Sequence, residues 1–248
     1  MNYAVRLVAL IVFAMILTVA LPVFIEIHWW YWPIVVLSYL TFKGIGSEVG
    51  AHRLWSHKSF ETTRFRKKII MVLQLIAGEG SCLSFVGIHR LHHQNSDTPL
   101  DPHSPHHNGI LRTMFYIHNI DGFDKKLIAD VLREPWMLKL HKYYFHIHLA
   151  IILVLAGTMS YTLLWFYSIN IVSTWVINNL VNVVTHMYGS QPYPYKTDQS
   201  RNNWWVEPIL LGVGQHNLHH HDPGLTKLGS HDLWGHIIER IRTDGRKK

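Results

Sequence analysis

The chain has 248 residues, 48% of them hydrophobic and 16% charged, with a formal charge of +7 at pH 7. A soluble domain is about one-quarter charged, so this balance argues against an ordinary soluble enzyme and for a membrane protein. The basic runs at Lys58 to Lys68, Lys125/Lys126 and Arg240 to Lys248 border apolar segments, so positive-inside topology explains them and nucleic acid is not an expected partner. The single Cys82 excludes a disulfide framework and a thiolate metal cage.

In chain order, residues 7–25 are nearly uncharged and long enough to span a bilayer. The run is longer than a signal-peptide core and no cleavage site follows, which predicts a retained helix. Trp29-Trp30-Tyr31-Trp32 suits an interfacial belt, and a second span is predicted over residues 32–50. Lys43 and Glu48 interrupt it and must face the bundle interior or the interface. Residues 69–88, broken by Gly78-Glu79-Gly80, read as a re-entrant or interfacial segment, because a full crossing would put the histidines on its two flanks about 30 Å apart. Residues 94–142 are polar and proline-punctuated. Residues 146–166 and 168–187 read as a helical hairpin, and 188–248 are polar again. The expectation is an all-α, single-domain, integral membrane protein. It has four transmembrane helices and a cytosolic helical cap made of residues 51–145 and 188–248. Both termini and every histidine cluster lie on the cytosolic face.

Those clusters are His52-x-x-x-x-His57, His89-x-x-His92-His93 and His216-x-x-His219-His220. Positions i, i+3 and i+4 share one face of an α-helix, so each triplet converges. His221 lies further round. His52 and His57 are roughly 140° apart on an α-helix, so either they serve different ions or the helix ends or distorts there. His186 closes the last apolar segment, with Asn182 four residues earlier on the same face. A ninth imidazole, plus an amide or its bridging water, completes the set. Structural zinc takes four ligands, often with sulfur, whereas these imidazoles suit two ions with a position left open. Nitrogen ligands alone fit Zn, Cu, Fe or Ni, and the membrane setting favours iron and oxygen chemistry on a lipid. The remaining histidines (His28, His103, His106, His107, His118, His141, His146, His148, His231, His236) are expected at the surface or supporting the ligands. His103, following Asp101-Pro102, is the foremost of them.

Four strings resemble the integral-membrane fatty acid desaturases, particularly the acyl-CoA delta-9 branch. They are Gly50-Ala51-His52-Arg53-Leu54-Trp55-Ser56-His57, His89-Arg90-Leu91-His92-His93 with Asp101-Pro102-His103, Asn182-x-x-x-His186-Met187-Tyr188-Gly189, and Gly214-Gln215-His216-Asn217-Leu218-His219-His220. The resemblance implies a four-span fold with a cytosolic cap and two irons. It implies insertion of a cis double bond into a saturated acyl chain with O2 and two electrons. It places nine ligands on His52, His57, His89, His92, His93, His186, His216, His219 and His220, with Asn182 acting through water. The short ends imply a separate donor, ferredoxin or a b-type cytochrome. Acyl-CoA, acyl-carrier protein and acyl-lipid all remain open as substrate.

Glu48 and Glu79 depart from the neutral residues expected near the boxes. Glu48, one turn before His52, is placed to orient that ligand, and Asp101 and His103 are assigned a supporting role behind the ligands. The resemblance also puts the far end of an acyl tunnel near Leu40 and Val36. The competing readings are a membrane di-iron fatty acid hydroxylase or alkane monooxygenase and, from another class, a metal transporter. The transporter would set its ligands along a path inside the spans.

Overall fold

The computed structural model describes residues 2–115 and 124–245, and His118 lies outside them. Among the described residues the secondary structure is helical, with only isolated β-bridges. Helix α1 (Tyr3–Ala20) starts where the Asn2 side chain accepts from the Val5 N–H. After Pro22 and a short connection, α2 (Tyr31–Ser38) runs without a break into a π-helical segment, Tyr39–Ser56. Helix α3 (Arg64–Ala77) ends at Gly78, whose φ of +79° is left-handed and favours glycine. Ser81 then caps α4 (Cys82–Asn95) by accepting from the Ser84 N–H. Two short helices, α5 (Pro105–Asn108) and α6 (Ile110–Met114), precede the long α7 (Pro135–Gly157) and α8 (Tyr161–Met187). The C-terminal part carries α9 (Glu207–Leu210), α10 (His216–His221) and α11 (Leu233–Ile241).

Among the described residues three helices are long and apolar enough to cross a membrane: Tyr3–Val23, Tyr31–Ser56 and Pro135–Gly157. Their outward faces suit lipid, with Val12, Ile16, Val19, Leu37, Leu149 and Leu153 all exposed. The pair α3 and α4, bent by 84°, passes the same test only when taken together. The α7–α8 hairpin differs from the expectation, because it turns at Thr158–Ser160 and both helices begin earlier. Pro135 opens α7, and its polar early turns, with Lys139, His141 and Lys142, mask the helix from an apolar-run reading. Helix α8 has the length of a span but is not one of the three. Asn170, Asn178, Asn179 and Asn182 dilute its hydropathy, and Asn170 and Asn179 are buried within the bundle.

The π-helical segment is the spine of the site. Runs of π-helix beyond one turn are rare and mark functional positions. Here Gly46 permits a close approach, since a Cβ at that position would lie 2.5 Å from the Gln74 backbone nitrogen of α3. The principal core gathers around this contact, with Val49, Leu54, Ile70, Met71, Val86, Val184 and Trp234 packed together. Two arginines, Arg53 buried and Arg90 partly buried, lock the histidine-bearing segments. Arg53 donates to both carboxylate oxygens of Asp232, at 2.7 and 3.2 Å, and ties the π-helix to the start of α11. Arg90 does the same to Asp130 and also donates to the Trp55 and Ser56 carbonyls.

Candidate metal centre

Nine imidazoles meet where the π-helix, α4, the end of α8 and α10 converge. The π-helix settles the His52/His57 question. The His57 N–H donates to the His52 carbonyl at 3.1 Å, an i→i+5 bond, and that spacing brings both rings to one side. Of the two alternatives the sequence left open, the distorted helix is the one present, and His52 and His57 stand in one group with His89 and His219. His93 belongs beside them, its Nε2 being 3.0 Å from that of His219. The second group is His92, His186, His216 and His220. The two groups adjoin, with the His93 and His220 rings stacked at 4.3 Å.

Within each group ring nitrogens face one another. The Nε2–Nε2 separations are 3.0 Å for His52–His219, 2.7 Å for His57–His89, 3.1 Å for His186–His216 and 3.3 Å for His92–His220. Two nitrogens held at right angles about 2.1 Å from one ion are about 3.0 Å apart.

The outer nitrogens decide what lies between them. The Nδ1 of His52 donates to Glu48 (2.9 Å), that of His92 to Asp101 (2.9 Å) and that of His186 to Asp97 (2.7 Å), and the Nδ1 of His220 lies 3.1 Å from an Asp198 carboxylate oxygen. A neutral imidazole has one N–H, and here the carboxylates take it. With His92 neutral, its Nε2 lone pair faces the Nε2 of His220 at 3.3 Å, an arrangement that a cation between the two rings favours. Burial, reinforced by the neighbouring imidazoles, drives His216, His219 and His220 well below the usual histidine range, so they are neutral and able to ligate. Asp97 is raised by burial, but bonding to His186, Ser104 and the Gln199 N–H outweighs this and holds it at about 2. The residues present fit two metal ions held by nitrogen, with carboxylates behind the ligands.

Of the supporting residues expected from sequence, Glu48 and Asp101 touch ligands as described. His103 lies beside His92, the rings tilted with centroids 4.3 Å apart, and its backbone N–H donates to Asp101. Asn182, with His89 and His103, lines a small cavity between α4 and α8. Leu40 and Val36 line an open apolar surface groove instead of a closed tunnel, and Val36 is 55% exposed. His221 is exposed and stacks on Tyr193. His106 donates to the His186 carbonyl and His107 to that of Asp97, so both brace the site. His148 is neither at the surface nor beside the ligands; it is buried in α7 against Tyr144 and Tyr167.

Sequence reasoning missed Asp97 and Asp198. Asp97 follows the second box closely and was open to notice, whereas Asp198 sits in a loop whose approach to α10 only tertiary structure creates. Lys43 was noticed as a polar interruption, but not as the partner of Glu48, 2.8 Å away.

The family model described as fatty acid desaturase matches residues 27–234. Among curated proteins, the chain is similar to an sn-1 stearoyl-lipid 9-desaturase of Anabaena variabilis, at 32% identity over 75% of this chain and 70% of the relative. It is similar to an sn-2 palmitoyl-lipid 9-desaturase of Nostoc sp., at 31% identity over 79% and 71%. It is also similar to a hex-5-enoyl-[acyl-carrier protein] acetylenase of Moorena producens, at 29% identity over 79% and 70%. The histidine boxes all fall inside the matched region, and the chain belongs to the fatty acid desaturase family.

Proposed function

We propose that the chain is an O2-dependent fatty acyl desaturase that inserts a cis double bond, at the delta-9 position, using two irons held by the nine imidazoles. The observation that carries this reading is the pair of adjoining, buried imidazole groups whose ring nitrogens converge at 2.7–3.3 Å. The His52, His57, His89, His93 and His219 group would hold one iron. The His92, His186, His216 and His220 group would hold the other, and Asn182 would reach one of the two through water. When bound, the irons supply the oxidising chemistry that removes hydrogen from two adjacent methylenes. The protein contributes position: Glu48, Asp97, Asp101 and Asp198 hold four rings in one tautomer and orientation, and the apolar walls Phe85 and Ile88 present the chain to the site.

The reaction consumes two electrons per double bond, and a ferredoxin or a b-type cytochrome is the expected carrier. The relatives are named for acyl-lipid and acyl-carrier-protein substrates and for chains from hex-5-enoyl to stearoyl, so the acyl carrier and chain length follow from experiment. We read α1, Tyr31–Ser56, α7 and α8 as the four spans and the sharply bent α3–α4 pair as re-entrant. The remaining helices form a cap on the cytosolic side. The test is expression in a desaturase-deficient host with mass spectrometry of total fatty acids and double-bond localisation. A new cis alkene that depends on His92 supports the reading. A hydroxylated product assigns the hydroxylase reading instead.

A further inference from the structure

Resting on the desaturase reading, we propose that Lys43 closes the acyl path, so that the enzyme acts on chains extending only a few methylenes past the reacting carbons. The cavity beside His89 and Asn182 has Phe85 and Asn178 among its walls, and its volume is only about 20 Å³. The Lys43 ammonium stands at those walls, 3.1 Å from Asn178 Oδ1 and 6.0 Å from the Phe85 ring centroid. Further along the same two helices lies the apolar groove of Leu40, Val36 and Ile177, about 330 Å³ in volume. Cavity and groove share no lining residue, and Lys43 with Asn178 stands where a path between them would run.

The wall is firmly built. Lys43 is 2% exposed and binds Glu48 at 2.8 Å and Glu79 at 3.4 Å. A hydrocarbon chain has no polar atoms to replace these partners, so displacing Lys43 would strand buried charges of both signs. Glu48 in turn receives the His52 N–H at 2.9 Å. The ammonium is therefore one carboxylate and two hydrogen bonds from an imidazole of the metal centre, which leaves room for only a few methylenes. Chain-length control thus moves from Leu40 and Val36 to Lys43, a specificity-determining residue. Balancing the two buried carboxylates is the purely structural alternative, and it predicts no effect on chain length.

The test feeds equimolar dodecanoic, tetradecanoic, palmitic and stearic acids to the deficient host and measures unsaturated products of each length. In parallel, the thermal stabilisation of iron-loaded protein by each fatty acid is read in detergent. The wild type is expected to favour the two shorter chains over stearate by about tenfold or more, in product and in stabilisation. Lys43→Met with Glu79→Gln removes one charge of each sign, so the buried balance is kept; it should move both profiles toward palmitate and stearate by about tenfold. Lys43→Arg should keep the wild-type profile. A wild type that prefers stearate overturns the proposal. So does an unchanged profile in a double variant with normal iron content and melting temperature. Absence of unsaturated product from every chain counts instead against the desaturase reading.

Discussion

Replacing Asp101 probes the carboxylates behind the ligands most directly. Its two oxygens receive the His92 Nδ1–H (2.9 and 3.0 Å), the Asp97 N–H (2.9 Å) and the His103 N–H (3.0 Å). Asp101→Ala orphans all three donors in a position where the parent residue is 3% exposed. A buried donor without a partner costs about 1–3 kcal/mol. Water entering the vacated space recovers part of the loss, so the lower end applies, about 3 kcal/mol in all. For a chain of this size that lowers the melting temperature by about 6–12 °C. Asp101→Asn keeps an acceptor but loses the charge that holds His92 in its tautomer. It should unfold within a few degrees of the wild type, yet hold the metal facing His92 about 10–100-fold more weakly. The assays are thermal unfolding in detergent and iron content after dialysis against a graded chelator. If the alanine variant melts with the wild type and keeps both irons, Asp101 does not orient a ligand.

The two-group arrangement predicts that His57→Ala and His216→Ala each lower iron content from two per chain toward one, whereas loss of both ions in either variant contradicts separate groups. Asn182→Leu should cut turnover while leaving the melting temperature near wild type; full activity with reduced stability would assign Asn182 to helix packing. Glu207 is raised to about 7, chiefly by burial and then by Asp232, partly opposed by the Gly214 and Gly212 N–H groups. The folded state therefore binds a proton that the unfolded chain releases, so stability should fall as pH rises from about 4.5 to 7.5. That slope should flatten in Glu207→Gln, and an identical slope in the variant would exclude Glu207 as its source. Cysteines placed at Lys58 and at Asn95 should label from the same side of the membrane, and opposite-side labelling breaks the single-site topology.

The histidine boxes, the apolar first and second segments and the helical character were legible because they are local. A triplet at i, i+3 and i+4 shares a face wherever an α-helix forms, and an uncharged run of span length declares itself. The sorting of nine imidazoles into two groups was not legible, because it depends on a π-helix that rotates His57 onto the side of His52. No residue period announces that geometry; it is sustained by the close contact of Gly46 with the α3 backbone. The hairpin boundaries escaped for a different reason. Residues 161–167 of α8 are apolar like those before them, so the apolar pattern runs on across the turn at Thr158–Ser160 and does not mark it. Asp198 and Lys43 illustrate the limit most clearly. The sequence shows a loop aspartate and a lysine that interrupts an apolar stretch. Only the packing of that loop against α10, and of Lys43 between Glu48, Glu79 and Asn178, gives either charge a partner and so a role. Buried charges are tolerated where long-range contacts satisfy them, and long-range contacts are what a local pattern does not encode.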